Sequence, residues 1–146
     1  MKVERDIEID AAPERVYEVL MDPRRLEDWV TIHAELKAAP PGELSQGSEL
    51  SQCLKLAGRK FTVHWEVVED DCPRRVVWEG RGPVGSKARV VYELEPGGNG
   101  KTRFTYANEF SLPGGALGKL GGRAVAPTSR RESERSLAKL KKLLEL

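Results

Sequence analysis

The sequence predicts an α+β domain: a curved antiparallel sheet of about six to seven strands around one long C-terminal helix, with two short helices after the first strand. Three observations carry this. Apolar and polar residues alternate through most of residues 50–110, the pattern of half-buried strands. The links between these stretches are hairpin-length and rich in Gly, Pro, Asn and Asp, which pairs neighbours antiparallel. From Ala116 the period turns helical, through Leu117, Leu120 and Ala124 and then Leu137, Leu140 and Leu144. A sheet with one dry face needs such a cover.

The elements follow in order. Val3, Ile7 and Ile9 share one parity against Glu4, Asp6 and Glu8, a strand with one wet face. Pro13 suits the first turn of a helix, and Val16, Tyr17, Leu20 and Met21 continue it over 13–21. Asp22-Pro23 ends this helix and starts a second, with Leu26 and Trp29 on one side. Residues 34–39 form a short strand stopped by Pro40-Pro41-Gly42. Leu50, Gln52, Leu54 and Leu56 then share a face, as do Phe61, Val63, Trp65 and Val67 beyond a tight turn at Ala57-Gly58-Arg59. Asp70-Asp71-Cys72-Pro73 is the next turn. Val76, Trp78 and Gly80, then Ala88, Val90, Tyr92 and Leu94, then Phe104, Tyr106, Asn108 and Phe110 complete the dry face, with a turn at 96–100.

In the C-terminal segment Gly115, Gly118, Gly121 and Gly122 soften the first half. Pro127 is expected to kink or interrupt the helix, and Thr128 or Ser129 to cap its restart, with Glu132 three residues beyond Ser129.

The whole chain, residues 1–146, reads as one domain. With 24 Lys+Arg against 23 Asp+Glu, the net charge of +1 argues against a protein built to hold nucleic acid. The charge is uneven, net −5 over residues 1–35 and +3 over 128–146, which fits two ends packed with complementary surfaces. Cys53 and Cys72 make no disulfide framework. No apolar run reaches the ~20 residues a bilayer span needs, and the charged, alternating start is unlike a signal peptide. These features point to a cytoplasmic protein with reduced thiols and no integral membrane association.

Ile7-Glu8-Ile9-Asp10-Ala11-Ala12-Pro13-Glu14-Arg15-Val16-Tyr17 resembles the opening of the START-like (SRPBCC) superfamily. Asp22-Pro23-Arg24-Arg25-Leu26-Glu27-Asp28-Trp29 is similar to that superfamily's second short helix. Arg103-Phe104-Thr105-Tyr106 and 134–141 are similar to its last strand and helix end. The resemblance covers essentially the whole chain and is nearest to the polyketide cyclase/dehydrase-like group, with its coenzyme Q-binding relatives. It implies a helix-grip fold around a hydrophobic cavity. Lipid carriers, pollen-allergen-like proteins and aromatase/cyclases share that fold, and no catalytic motif of the family is matched here.

On the dry face Gln52, Trp65, Trp78, Tyr92, Tyr106 and Asn108 each carry a polar handle among apolar neighbours. Such groups orient a small molecule in a pocket or pair with one another in a filled core; the resemblance favours the pocket. Trp29 is expected near its mouth, and His33, after the second short helix, as a ligand contact or proton donor. His64 falls on the solvent parity. Cys53 and His64, near one another across the hairpin, supply too few ligands for a metal site. The glycine run at 114–122 lacks phosphate-loop spacing, although Lys119 and Arg123 stand one helical turn apart for an acidic ligand at the rim.

The leading expectation is a protein that binds a hydrophobic or amphipathic small molecule (lipid, quinone or polyketide-like), without cofactor or metal. A polyketide cyclase/dehydratase working through Tyr92, Tyr106 or His33 stays open. So does a module that docks on a protein or the ribosome through the basic C-terminal helix.

Overall fold

The computed structural model describes residues 2–111 and 122–145. Seven strands form one antiparallel sheet: β1 (Lys2–Ile9), β2 (His33–Ala38), β3 (Glu49–Leu56), β4 (Arg59–Asp71), β5 (Arg75–Arg81), β6 (Lys87–Pro96) and β7 (Thr102–Ser111). Their order across the sheet is β1-β7-β6-β5-β4-β3-β2. From β2 to β7 the sheet is a meander, and β1 closes it by pairing with β7, Lys2 opposite Glu109 and Ile9 opposite Thr102.

Between β1 and β2 lie α1 (Pro13–Leu20), a 3-10 turn at Pro23–Arg25 and α2 (Leu26–Trp29). Pro13 occupies the first turn of α1, where its missing N–H leaves nothing unpaired. Asp22 caps the 3-10 turn by accepting from the Arg24 amide at 3.0 Å. The third helix, α3 (Gly122–Leu144), is continuous through Pro127, so the expected interruption there does not occur. The glycine run at 114–121, with Lys119, lies outside the described residues, as does the Arg123 side chain.

The inner face of the sheet is dry, as the parity requires. At one end it is filled by Ile9, Val67, Val76, Leu94 and Phe104, covered by Leu20 and Met21 and by Leu137, Leu140 and Leu144 of α3. Each fully buried Leu contributes about 1.5–3 kcal/mol. Thr31, between α2 and β2, ties the helix down: its amide donates to Ser136 Oγ at 3.0 Å, and its hydroxyl lies 3.1 Å from the same atom.

β4 is longer than its alternation indicates. Val68 is an extra residue between the pairs Val67–Trp78 and Glu69–Val77, a bulge that restarts the parity one position on. Asp70 consequently stands opposite Val76, on the inner side, rather than opening a turn. There both its carboxylate oxygens accept from the Tyr17 hydroxyl, at 2.7 and 2.8 Å. Burial, then the Asp70 carboxylate, raise the Tyr17 pKa far above its ordinary value, so the phenol stays a donor and pins α1 to β4.

On the outer face a small second cluster of Val68, Val77, Val91 and Ala107 lies between charged rows.

Candidate functional site

The inner face is not filled along its whole length. Toward the β3–β4 hairpin the sheet and α3 separate, leaving a cavity of about 360 Å³. A row of aromatic rings crosses its sheet wall because neighbouring strands deliver them side by side. Trp65 of β4 meets Trp78 of β5 edge-on at 5.9 Å between centroids, Trp78 meets Tyr92 of β6 at 5.6 Å, and Tyr92 meets Tyr106 of β7 at 5.7 Å. Gly80 stands directly opposite Trp65, and its missing side chain makes room for the Trp65 ring. Phe61, Val63, Val90 and Phe110 extend the wall, and Ala57 and Arg59 of the hairpin lie at the exposed end.

Six of the eight residues singled out from the sequence line this space: Gln52, Trp65, Trp78, Tyr92, Tyr106 and Asn108. Trp29 and His33 do not. Trp29 is fully buried behind the wall, its ring against Tyr92 at 6.1 Å and Tyr106 at 5.9 Å, instead of standing at the mouth. The short α2 turns it inward, toward the core. His33 stands behind Gln52.

A hydrogen-bond chain fixes this corner. The Trp65 indole N–H can only donate, and it donates to Gln52 Oε1 at 3.0 Å. That sets the Gln52 amide so that Nε2 faces His33 Nδ1 at 2.9 Å. Nδ1 must then accept, which leaves the His33 proton on Nε2. Burial lowers the His33 pKa below 6.5, partly opposed by Glu27, in keeping with a neutral ring. The second amide N–H of Gln52 is left for the cavity.

The two phenols behave alike. Burial pushes Tyr106 up to about 12, partly offset by Asn108, whose Nδ2 donates to the phenol oxygen at 3.3 Å. Burial, then Tyr106, raise Tyr92 well above 10.0. Both therefore stay protonated. Tyr92 is only 2% exposed. The buried polar side-chain atoms with no hydrogen-bond partner among the described residues are Trp78 Nε1 in the cavity wall, Trp29 Nε1 behind it and Ser86 Oγ. An unmade bond at a buried polar group costs about 1–3 kcal/mol, so the Trp78 indole N–H in the wall is a place for a ligand oxygen or an ordered water.

From the helix side come Ser129, Glu132, Ser133 and Ser136, which the sequence reading did not assign to the cavity. Their signal was present: they continue the Leu137-Leu140-Leu144 stripe toward the N-terminus at spacings of three and four, a polar run where an apolar one would fill the space. Arg59, in the tight turn of the hairpin by sequence, also lines the cavity.

Among the described residues no group of three or more His, Cys, Asp or Glu side chains is arranged to hold a metal. Cys53 pairs with Thr62, and His64 pairs with Ser51, whose hydroxyl lies 2.8 Å from His64 Nδ1. No described helix is long and apolar enough to cross a membrane.

Residues 1–145 match the family model described as polyketide cyclase / dehydrase and lipid transport. The chain is similar to the uncharacterized protein Rv1546 of Mycobacterium tuberculosis, 25% identical over 141 residues, 97% of this chain and 96% of that one. It is also similar to a protein of the same organism named Toxin Rv0910, 24% identical over 136 residues, 93% of this chain and 92% of that one. Among solved structures, the Zhui aromatase/cyclase of Streptomyces sp. R1128 has the same fold, with a TM-score of 0.80 at 16% identity over 99% of this chain and 93% of that one.

Proposed function

The chain belongs to the polyketide cyclase / dehydrase and lipid transport family, and from that premise we propose that it binds an amphipathic small molecule, of lipid, quinone or polyketide type, between the sheet and α3. One observation carries the reading: a 360 Å³ cavity walled by aliphatic side chains and a row of aromatic rings, with the Trp78 indole N–H of that row buried without a partner among the described residues. Rings supply apolar contact area. Tyr92, Tyr106, Asn108 and Gln52 supply a few neutral hydrogen-bonding groups that fix orientation.

The test is a tryptophan-fluorescence titration with fatty acids, quinones and aromatic polyketides, beside a thermal melt. At least one class quenches Trp65 and Trp78. Tyr92→Phe weakens an oxygen-bearing ligand by about 1–3 kcal/mol while the melt stays level or rises, because only the hydroxyl is lost. Asn108→Leu does likewise. A wild type that no class quenches, with the two variants unchanged in every titration, refutes the proposal.

A further inference from the structure

The end of the sheet at which the cavity opens carries charge that the fold leaves unpaired. In the β3–β4 hairpin Lys55 stands directly opposite Lys60. At the neighbouring β5–β6 loop Arg81 stands directly opposite Lys87. All four are exposed and point to the outer face by strand parity, and Arg59 adds a fifth charge at the mouth itself. Like charges facing one another across a ladder are destabilising. Among the described residues none of the five makes an ion pair; Lys60 acts only at longer range, on Glu35, which is paired with Lys37. The opposite end, by contrast, is laced with them: Arg75 with Glu69 and Glu93, Arg103 with Asp6, Lys101 with Glu8. The outer carboxylates Glu66, Glu79 and Glu109 stand one row further from the mouth, around Arg89.

A second feature sits on the same rim. The loop between Arg81 and Lys87 projects Val84, which is 81% exposed, the exposed large hydrophobic of the described residues. Its backbone is left-handed, φ 59° and ψ 34°, a conformation that costs a β-branched residue free energy. The loop belongs to the same surface as the hairpin, since Arg81 stands opposite His64 on the strand that leads out of the hairpin from Lys60. An apolar tip between unpaired cations, beside an open cavity, has the character of a surface that meets an anionic sheet of headgroups with hydrocarbon beneath.

We infer that this rim docks on an anionic lipid bilayer, with Lys55, Arg59, Lys60, Arg81 and Lys87 against the headgroups, Val84 inserted between them, and the cavity mouth facing the membrane. The inference rests on the rim and not on what fills the cavity. Its failure and that of ligand binding are therefore separate results.

The test is flotation of the full chain with vesicles of phosphatidylcholine alone or mixed with phosphatidylserine. Binding is expected to the mixed vesicles only, and to fall away in 1 M salt, where the screening length drops to about 3 Å. Lys60→Ala and Lys87→Ala are each expected to weaken partitioning about fivefold, with the melting temperature unchanged or raised because a repulsion is relieved. Val84→Ser weakens it without changing the salt dependence. Charge-reversed Lys60→Glu, Lys87→Glu protein abolishes it. Equal flotation with both vesicle types, undiminished flotation of the charge-reversed protein, or retention on RNA with none on vesicles would overturn the inference.

Discussion

Gly80 offers a sharp test of how the cavity wall is built. A methyl group at this position would lie 2.6 Å from Trp65 Cε3 and 2.6 Å from Val63 Cγ1, closer than carbon atoms approach in folded proteins. Gly80→Ala therefore pushes the Trp65 ring off its strand. Overpacking of this kind costs about 1–3 kcal/mol. A displaced Trp65 also loses the Gln52 acceptor now at 3.0 Å, and a stranded indole N–H costs about 1–3 kcal/mol more. Against this, alanine restricts the unfolded chain and favours the variant by about 0.5–1 kcal/mol. The net expectation is a loss of about 1–5 kcal/mol, read by urea denaturation followed through tryptophan fluorescence, with an altered native emission maximum. Trp65→Leu removes the clashing ring, so the two substitutions together should cost clearly less than the sum of each alone. If Gly80→Ala leaves stability within about 0.5 kcal/mol of wild type, or if the two costs simply add, the ring does not depend on that glycine and the account of the wall is wrong.

Two further outcomes are expected. His33 has a folded pKa below its unfolded value of 6.5, so its contribution to stability is present above 6.5 and is lost as pH falls through the folded pKa; His33→Gln should flatten that part of a stability-against-pH curve, and an unchanged curve would remove His33 from the Gln52–Trp65 chain. Ser136→Ala removes both contacts to Thr31 and strands the Thr31 amide, costing about 1–2 kcal/mol in a thermal melt; a neutral result would mean that α3 is held by its leucines alone.

Most of the fold was legible because strand parity is a local property. Phe61-Val63-Trp65-Val67 and Ala88-Val90-Tyr92-Leu94 alternate without interruption, and their inward sides are the ones the structure buries or half-buries. The alternation failed at Val68, where one inserted residue flips everything after it. No residue type announces such an insertion, so Asp70 read as a turn although it faces Tyr17. The polar members of the wall, Gln52, Tyr92, Tyr106 and Asn108, were visible as exceptions to an apolar parity. The helix side is not legible in the same way: Ser129, Ser133 and Ser136 share the stripe of the α3 leucines but are small and polar, and so resemble surface. Trp29 and His33 lie behind the wall and not at the mouth. Position on a short helix gives a side chain's direction but not how far the segment sinks into the core.

The pairing of β1 with β7 also governs when the fold can close. Lys2 meets Glu109, so the first strand made must wait for the last before it has a neighbour. The helix that holds it comes later still: Arg5 pairs with Glu134, and the Asp10 amide donates to Glu145. Contacts this far apart in sequence slow folding, because a long loop must close before any of them forms. On the ribosome the meander from β2 to β6 can assemble while β1 remains a free, charged tether, and its alternating Glu4, Asp6 and Glu8 keep that waiting strand soluble.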